Sequence, residues 1–226
     1  MRIIYLGHSC FLVETGSHKL LIDPFISGNE LATVSADSIE CDFILLSHGH
    51  DDHTLDALPI AKRCGATIIA AFELAEYLGA QGAKVHDMNP GGAHEFPFGR
   101  LKLTHAIHSS STGGGLKPVY LGQPCGLLLK ADGKTIYHAG DTALFSDMQL
   151  IGRGGIDLAM LPIGDNYTMG IDDAVEALGF LKPALAVPMH YNTFPPIQVD
   201  PARFESAAAT AGFHARVMAI GETIEI

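Results

Sequence analysis

Asp42-Phe43-Ile44-Leu45-Leu46-Ser47-His48-Gly49-His50-Asp51-Asp52-His53 is the stretch from which the rest of the chain is best read. Asp42 to Ser47 has the continuous apolar character of a strand buried on both faces, and it stops abruptly in a polar string. Read as His48-x-His50-x-Asp52-His53, that string puts three imidazoles and a carboxylate within six residues, in a chain with 12 histidines among 226 positions. The bland alternative, a solvated polar turn, does not account for such density directly behind a buried strand. Imidazole and carboxylate suit divalent ions: Zn2+ first by ligand type, with Mn2+, Fe2+ or Ni2+ held by the same residues. Four residues on one tight loop cannot all reach one ion in tetrahedral geometry, so two ions are expected.

Upstream of the string, Arg2 to Leu6, Cys10 to Glu14 and Lys19 to Ile22 are short β-rich runs, with Gly16-Ser17 as the turn between the last two. They predict an antiparallel meander. Downstream, a helix from Thr54 to about Arg63 is followed by a strand over Thr67 to Ala71, a helix over Glu73 to Leu78 and a strand over Lys84 to Asp87. These are βαβ units, which favour a parallel sheet. A second β-rich block, Leu101 to Ile107 with Gly126 to Ala131 and Lys134 to His138, contains Asp132-Gly133, a pair that favours a type I′ hairpin. Alternation then resumes: strand Asp157 to Ile163, helix Asp172 to Leu181, strand Ala184 to Met189, helix Pro201 to Ala211, strand Ala215 to Ile220. Both halves share this order, so a mixed α/β (α+β) sandwich of two sheets flanked by helices fits best. The Ser109 to Gln123 stretch, with Gly113-Gly114-Gly115, is the one conspicuous loop.

If two ions sit at the string, further ligands must come from other strand ends, and three residues qualify. His108 closes the run from Leu101, Asp141 follows Ile136-Tyr137-His138-Ala139-Gly140, and His190 follows Ala186-Val187-Pro188-Met189. Each alone is an ordinary surface or capping residue; with the first string they reinforce one another. His18, His86, His94, His105, His138 and His214 do not fall at such positions.

The order HxHxDH, lone His, Gly140-Asp141-Thr142 and Pro188-Met189-His190-Tyr191 resembles the metallo-β-lactamase superfamily over nearly the whole chain. The resemblance implies an αββα four-layer sandwich, with 1–226 as a single hydrolase domain. Gly7-His8-Ser9-Cys10-Phe11, Ile22-Asp23-Pro24-Phe25, Thr168-Met169-Gly170 and His190 to Pro195 are similar to a subgroup of metal-dependent hydrolases nearer the ascorbate-6-phosphate lactonases than the antibiotic-degrading enzymes. By that resemblance His48, His50 and His108 hold a first ion, Asp52, His53 and His190 a second, and Asp141 bridges them. Catalytic work then falls to Asp52 and Asp141 around a water activated between the ions. Asp23 resembles a carboxylate that orients the metal loop, with a turn cap before Pro24 as the alternative. His8 is expected either to line the pocket or to be a satisfied structural histidine.

Single residues weigh the relatives against one another. Redox-active diiron members carry Glu where His50 stands, and the antibiotic-degrading enzymes usually carry Cys where Asp141 stands. A nuclease needs a basic docking surface, whereas 14 Lys and Arg against 25 Asp and Glu give a formal charge of -11. A small lactone, ester or phosphodiester remains as substrate; the other classes to be weighed are a phosphodiesterase acting on nucleic acid and a catalytically silent metal-binding scaffold. Loss of ligands would mark the scaffold, and none is lost. No apolar run approaches the ~18 residues of a membrane span, and Cys10, Cys41, Cys64 and Cys125 form no CxxC motif. Both features point to a cytoplasmic protein. Relatives often assemble, so a homo-oligomer is compatible with the resemblance.

Overall fold

The computed structural model describes residues 1–16, 18–112 and 117–226. Part of the Gly16-Ser17 turn and the Gly113-Gly114-Gly115 loop therefore lie outside the described residues. In chain order come β1 (Arg2–Gly7), β2 (Cys10–Thr15), β3 (His18–Ile22), β4 (Phe43–Leu45), α1 (Asp51–Thr54), α2 (Ala57–Cys64), β5 (Thr67–Ala71), α3 (Phe72–Gly79) and β6 (Lys84–Met88). The second half contains β7 (Ala93–Phe96), β8 (Gly99–His105), β9 (Cys125–Ala131), β10 (Lys134–His138), α4 (Met148–Ile151), β11 (Ile156–Pro162), α5 (Ile171–Leu181), β12 (Pro183–Met189), α6 (Pro201–Thr210) and β13 (Thr223–Glu225).

One sheet has the order β13-β1-β2-β3-β4-β5-β6 and the other β12-β11-β10-β9-β8-β7. β1 to β3 pair antiparallel and β3 to β6 parallel. The second sheet repeats the change, antiparallel from β7 to β10 and parallel from β10 to β12. Alternation along the strands builds the layers. Leu20, Ile22, Leu45 and Ile69 turn to the core between the sheets, while Leu21, Ile44, Leu46 and Ile68 turn outward beneath α2 and α3. β4 is thus buried on both faces, as its unbroken apolar run requires. On the far side α5 and α6 seat Ala174, Leu178 and Phe204 on the second sheet, completing the αββα sandwich. At ~1.5–3 kcal/mol per buried aliphatic side chain, this core is the main stabilising term.

Three departures from the sequence-based expectations have local causes. The helix expected from Thr54 to Arg63 is broken into α1 and α2 around Asp56, whose backbone N–H donates to the Pro24 carbonyl at 3.2 Å. Ala215 to Ile220 is not a strand: only a bridge joins Ala215 to Ala186. The Val217 and Ala219 amides donate instead to the carboxylates of Glu205 (2.7 Å) and Glu222 (2.8 Å), which leaves no ladder to form. The last strand is β13, paired with β1. β7, short and half exposed, was not anticipated; it forms the edge beside β8. Asp132 and Gly133 both have positive φ, 52° and 73°, as the expected hairpin turn demands.

Asp56 also closes the loop that follows Asp23. Its carboxylate accepts the Ile26 and Ser27 amides at 2.6 and 2.9 Å and the Ser27 hydroxyl at 2.5 Å, while the residue is buried. Asp56→Ala strands these donors and is expected to lower unfolding stability by about 2–3 kcal/mol, measured by chemical denaturation. A change under about 0.5 kcal/mol would show that the loop is held otherwise.

Candidate metal centre

The site residues sit where strands end. His48 to His53 follow β4, and His50 is the residue before the single turn of α1, whose first residues are Asp51, Asp52 and His53. Asp52 and His53 both bring donor atoms into the pocket, whereas Asp51 is exposed. Gly140 turns the chain ahead of Asp141 with φ 62°. A Cβ there would lie 2.7 Å from the Cys125 carbonyl oxygen and 2.9 Å from Ser47 Cβ, so only glycine fits. The loop of His108 is tied to that of Asp141 by the Ile107 amide, which donates to Thr142 Oγ1 at 3.0 Å, and by the Ala143 amide, which donates to the Ile107 carbonyl at 3.1 Å.

All seven expected ligands converge. His48, His50 and His108 bring donor atoms within 4.8 Å of one another; so do Asp52, His53 and His190, joined by His8; and so do His48, His53 and Asp141. Asp141 stands between the groups. Its Oδ2 is 3.0 Å from His190 Nε2, 3.4 Å from His108 Nε2 and 3.9 Å from His48 Nε2, and its Oδ1 is 3.3 Å from His53 Nε2. Asp52 is the more open carboxylate, with 26% of its side chain exposed against 2% for Asp141.

Hydrogen bonds behind the ligands fix which nitrogen faces inward. Asp23, fully buried, accepts the Ser47 amide at Oδ1 (2.8 Å), and the Ser47 hydroxyl (2.5 Å) and His53 Nδ1–H (2.8 Å) at Oδ2. Because the Ser47 hydroxyl proton is committed to Asp23, its oxygen receives His48 Nδ1–H at 3.0 Å. His50 Nε2 lies 3.2 Å from Ser109 Oγ. His48 Nε2, turned inward by its Nδ1 bond, lies 2.9 Å from His50 Nδ1. His53 Nε2, His190 Nε2 and Asp141 Oδ1 are buried without a hydrogen-bond partner, which native proteins rarely tolerate unless an ion or water completes the site. The donor set fits divalent metal.

Charge is distributed unevenly. Burial pushes His48, His50 and His108 below the ordinary imidazole pKa, and the neighbouring His53 adds to this in all three. Burial also opposes the charged form of His53 and His190, yet the carboxylates around them prevail. Asp141, Asp23 and Asp52 raise His53, and Asp141 with Asp52 raises His190 to about 9. Burial would raise Asp141 and Asp52, but His190 and His53 hold Asp141, and His53, His190 and His8 hold Asp52, far below the usual carboxylate range. Both carboxylates are thereby held toward the anionic form.

Sequence reasoning did not foresee the part of Ser47, although it adjoins the motif, or that of Thr193, whose Oγ1 is 2.9 Å from His8 Nδ1. Asp23 bonds to Ser47 and His53 of the HxHxDH string, and His8 lies against Asp52 Oδ2 at 3.1 Å. His138 is satisfied internally: Nε2 donates to the Ser9 carbonyl (3.0 Å), and Nδ1 accepts the Gly140 amide (3.2 Å). Ser110 Oγ is occupied by the Gly49 amide (3.1 Å) and the Leu121 carbonyl (3.2 Å). His86 and His94 pack on each other, ring centroids 4.5 Å apart, across β6 and β7.

Comparison with known proteins agrees with this geometry. The β-lactamase superfamily domain model matches residues 2–190. The chain is 55% identical to a UPF0173 metal-dependent hydrolase of Shouchella clausii and 52% identical to one of Opitutus terrae, each over the full length of both chains. The solved structure of Igni18, a metallo hydrolase of Ignicoccus hospitalis, superposes with a TM-score of 0.90 at 39% identity, covering 100% of this chain and 98% of the other. The chain belongs to the metallo-β-lactamase superfamily. Within it, the chain is a metal-dependent hydrolase of the UPF0173 group.

Asp23→Asn keeps the shape of the side chain but removes its charge from His53 and Ser47. Metal affinity is expected to fall by about 10- to 100-fold, measured by chelator competition. Unchanged affinity would show that the histidines are oriented without it.

Proposed function

We propose that the chain is a dinuclear hydrolase of small lactone, ester or phosphodiester substrates, in which His48, His50 and His108 hold one divalent ion, Asp52, His53 and His190 the other, and Asp141 bridges them. The observation that carries this reading is Asp141, a buried carboxylate within 3.4 Å of His108 from the first set and 3.3 Å of both His53 and His190 from the second. Zn2+ is the preferred ion on ligand type; Mn2+, Fe2+ and Ni2+ suit the same donors. When bound, such ions supply hydroxide at neutral pH and Lewis-acid polarisation of a substrate oxygen.

The chain's own groups do the rest. Asp52, anionic and with part of its side chain open to solvent, accepts a proton from the attacking water and passes it toward the leaving group. Asp141 stays charged and fixes the spacing of the two sets. A cavity of about 450 Å³ opens beside His108, with Ile107, Ser109, Tyr120 and Pro124 among its walls, large enough for a small molecule. Lys and Arg are absent from its described lining, and with a net charge of -11 this favours a small substrate over a nucleic-acid strand. We place the activity in the cytoplasm, where the four free thiols of Cys10, Cys41, Cys64 and Cys125 remain reduced. No helix among the described residues is long and apolar enough to cross a membrane.

Protein purified without added metal should carry about two ions per chain by elemental analysis. Asp141→Asn should lose at least one of them and cut hydrolysis of a lactone, ester and phosphodiester panel by about 100-fold or more. One ion per chain after reconstitution with Zn2+ or Mn2+ would overturn the dinuclear reading. Two ions without turnover would favour a silent metal-binding protein.

A further inference from the structure

The outer face of the second sheet gathers cations in a chain that is rich in acids. On β8 and β9 the side chains of Leu101, Leu103, Leu127 and Leu129 turn into the core. Arg100, Lys102, Leu128 and Lys130, which alternate with them, therefore turn outward. Register sets these residues in rows: Arg100 stands opposite Lys130, which stands opposite Thr135 of β10, and Lys102 stands opposite Leu128. Like charges directly opposite each other on a ladder destabilise it. With 25 Asp and Glu against 14 Lys and Arg, the meeting of Arg100 and Lys130 is not forced by composition.

The end of α4 and the 3-10 turn Gly152–Gly154 wall this patch into a cleft of about 280 Å³, with Leu150, Ile151, Gly154 and Gly155 on the facing side. Every charged side chain in its described lining is cationic. Arg100 pairs with Glu95 at 2.7 Å, and the nearby Lys134 with Asp157 at 3.1 Å; both pairs lie open to water, where such contacts are weak. Lys102 and Lys130 have no ion pair among the described residues. Lys130 reaches toward the glycine turn, since a Cβ on Gly154 would lie 3.3 Å from its Nζ. Gly154 and Gly155 put no side chain in the way of a ligand on that wall. An adjoining cleft of about 240 Å³ shares Lys102, Leu128, Leu150 and Ile151 and adds Phe145, His105 and Asp147. Arg100 and Thr135 stand near the starts of β8 and β10, whereas His108 and Asp141 lie beyond their ends, roughly 20 Å further along the strands.

We propose that this cleft is a second ligand site, separate from the metal centre, for a small organic phosphate. Its phosphoryl group lies among Arg100, Lys102 and Lys130, and its apolar part lies on Leu128, Phe145 and Leu150. A dianion answers the facing cations, and ammonium and guanidinium groups are the donors that bind phosphate most strongly. The cations look into a concave cleft of small-molecule size with an apolar slot beside it, which suits a compact phosphate ester better than a long polyanion. The site is independent of the dinuclear reading and of how many ions the metal centre holds.

Phenylphosphonate, an aryl dianion with no ester bond to hydrolyse, is the probe. Titrated into metal-loaded protein labelled with nitrogen-15, it should shift the amides of Lys102, Lys130, Gly154 and Gly155 and reach saturation. Lys102→Gln combined with Lys130→Gln should weaken that binding by about 10-fold or more, with metal content, melting temperature and hydrolysis unchanged. Inorganic phosphate should bind there about 10-fold more weakly than phenylphosphonate, because it buries no ring. Shifts confined to residues around His108 and Asp141 would overturn the proposal, the anion being then a ligand of the metal centre only. Shifts that never saturate, or that persist in the double variant, would overturn it as loose counter-ion attraction. Equal binding of inorganic phosphate would overturn the apolar half of the site. Binding of a single-stranded oligonucleotide or of phosphatidylserine vesicles at the same lysines, with none of phenylphosphonate, would overturn it in favour of a polyanion surface.

Discussion

The site depends on one buried carboxylate. Asp23 has no exposed surface, and taking its charge out of water is costly unless every lone pair is answered. Here the Ser47 amide, the Ser47 hydroxyl and His53 Nδ1–H answer it. In return Asp23 sets the tautomer of His53 directly and that of His48 through Ser47. It is also a joint between neighbouring strands: its residue follows β3, Ser47 lies just beyond β4, and the two strands run parallel with Ile22 opposite Leu45. The Ser47 carbonyl accepts the Cys125 amide at 2.9 Å, which connects the same point to the second sheet. Removing that carboxylate would leave the fold's layers intact and the imidazoles without a preferred orientation.

The second constraint is charge balance in a dry pocket. Three carboxylates, Asp23, Asp52 and Asp141, meet a cluster of imidazoles whose bodies are packed by aliphatic strands. In the protein alone, His53 and His190 are pushed toward the cationic form because those anions have no other counterion close by. Burial, with the neighbouring His53, pushes His48, His50 and His108 toward neutral. The protein has therefore prepared neutral lone pairs on one side and an excess of negative charge on the other. Divalent cations satisfy both demands at once, which protons cannot, because each proton that calms a carboxylate also occupies an imidazole.

Much of this was legible because the chemistry is written at strand ends. The HxHxDH string is local, so its density shows without a structure, and His108, Asp141 and His190 are each preceded by a recognisable apolar run. The two-sheet order was legible too, from β-rich runs followed by alternating strands and helices and from the unbroken run of β4, and the four layers from the family resemblance. What escaped the sequence were interactions decided by a side chain arriving from elsewhere. Thr193 reaches His8 across 185 positions, and nothing in either local pattern foretells it. Val217 and Ala219 have strand-like neighbours, yet Glu205 and Glu222 capture their amides before a ladder can form. Asp56 reads as one more helical position until the Ile26 and Ser27 amides, 30 and 29 residues away, are found on its carboxylate.

Backbone conformation links these features. His8, Asp23 and His190 all have positive φ, at 55°, 43° and 55°, and each stands immediately past a strand. A strand that continued in extended form would carry its next side chain away along the sheet axis; a left-handed residue turns the chain at once and aims the side chain back over the strand ends. Glycine would adopt the turn without cost but would bring no imidazole or carboxylate. The chain accepts roughly 1–3 kcal/mol of strain at each such position, and the surrounding bonds hold it there: the His190 amide on the His8 carbonyl, and the Asp23 amide on the Leu45 carbonyl at 3.1 Å. The aliphatic sandwich is thus more than a support. Its excess of burial energy keeps three residues in conformations that, in a weaker fold, would relax and disperse the site.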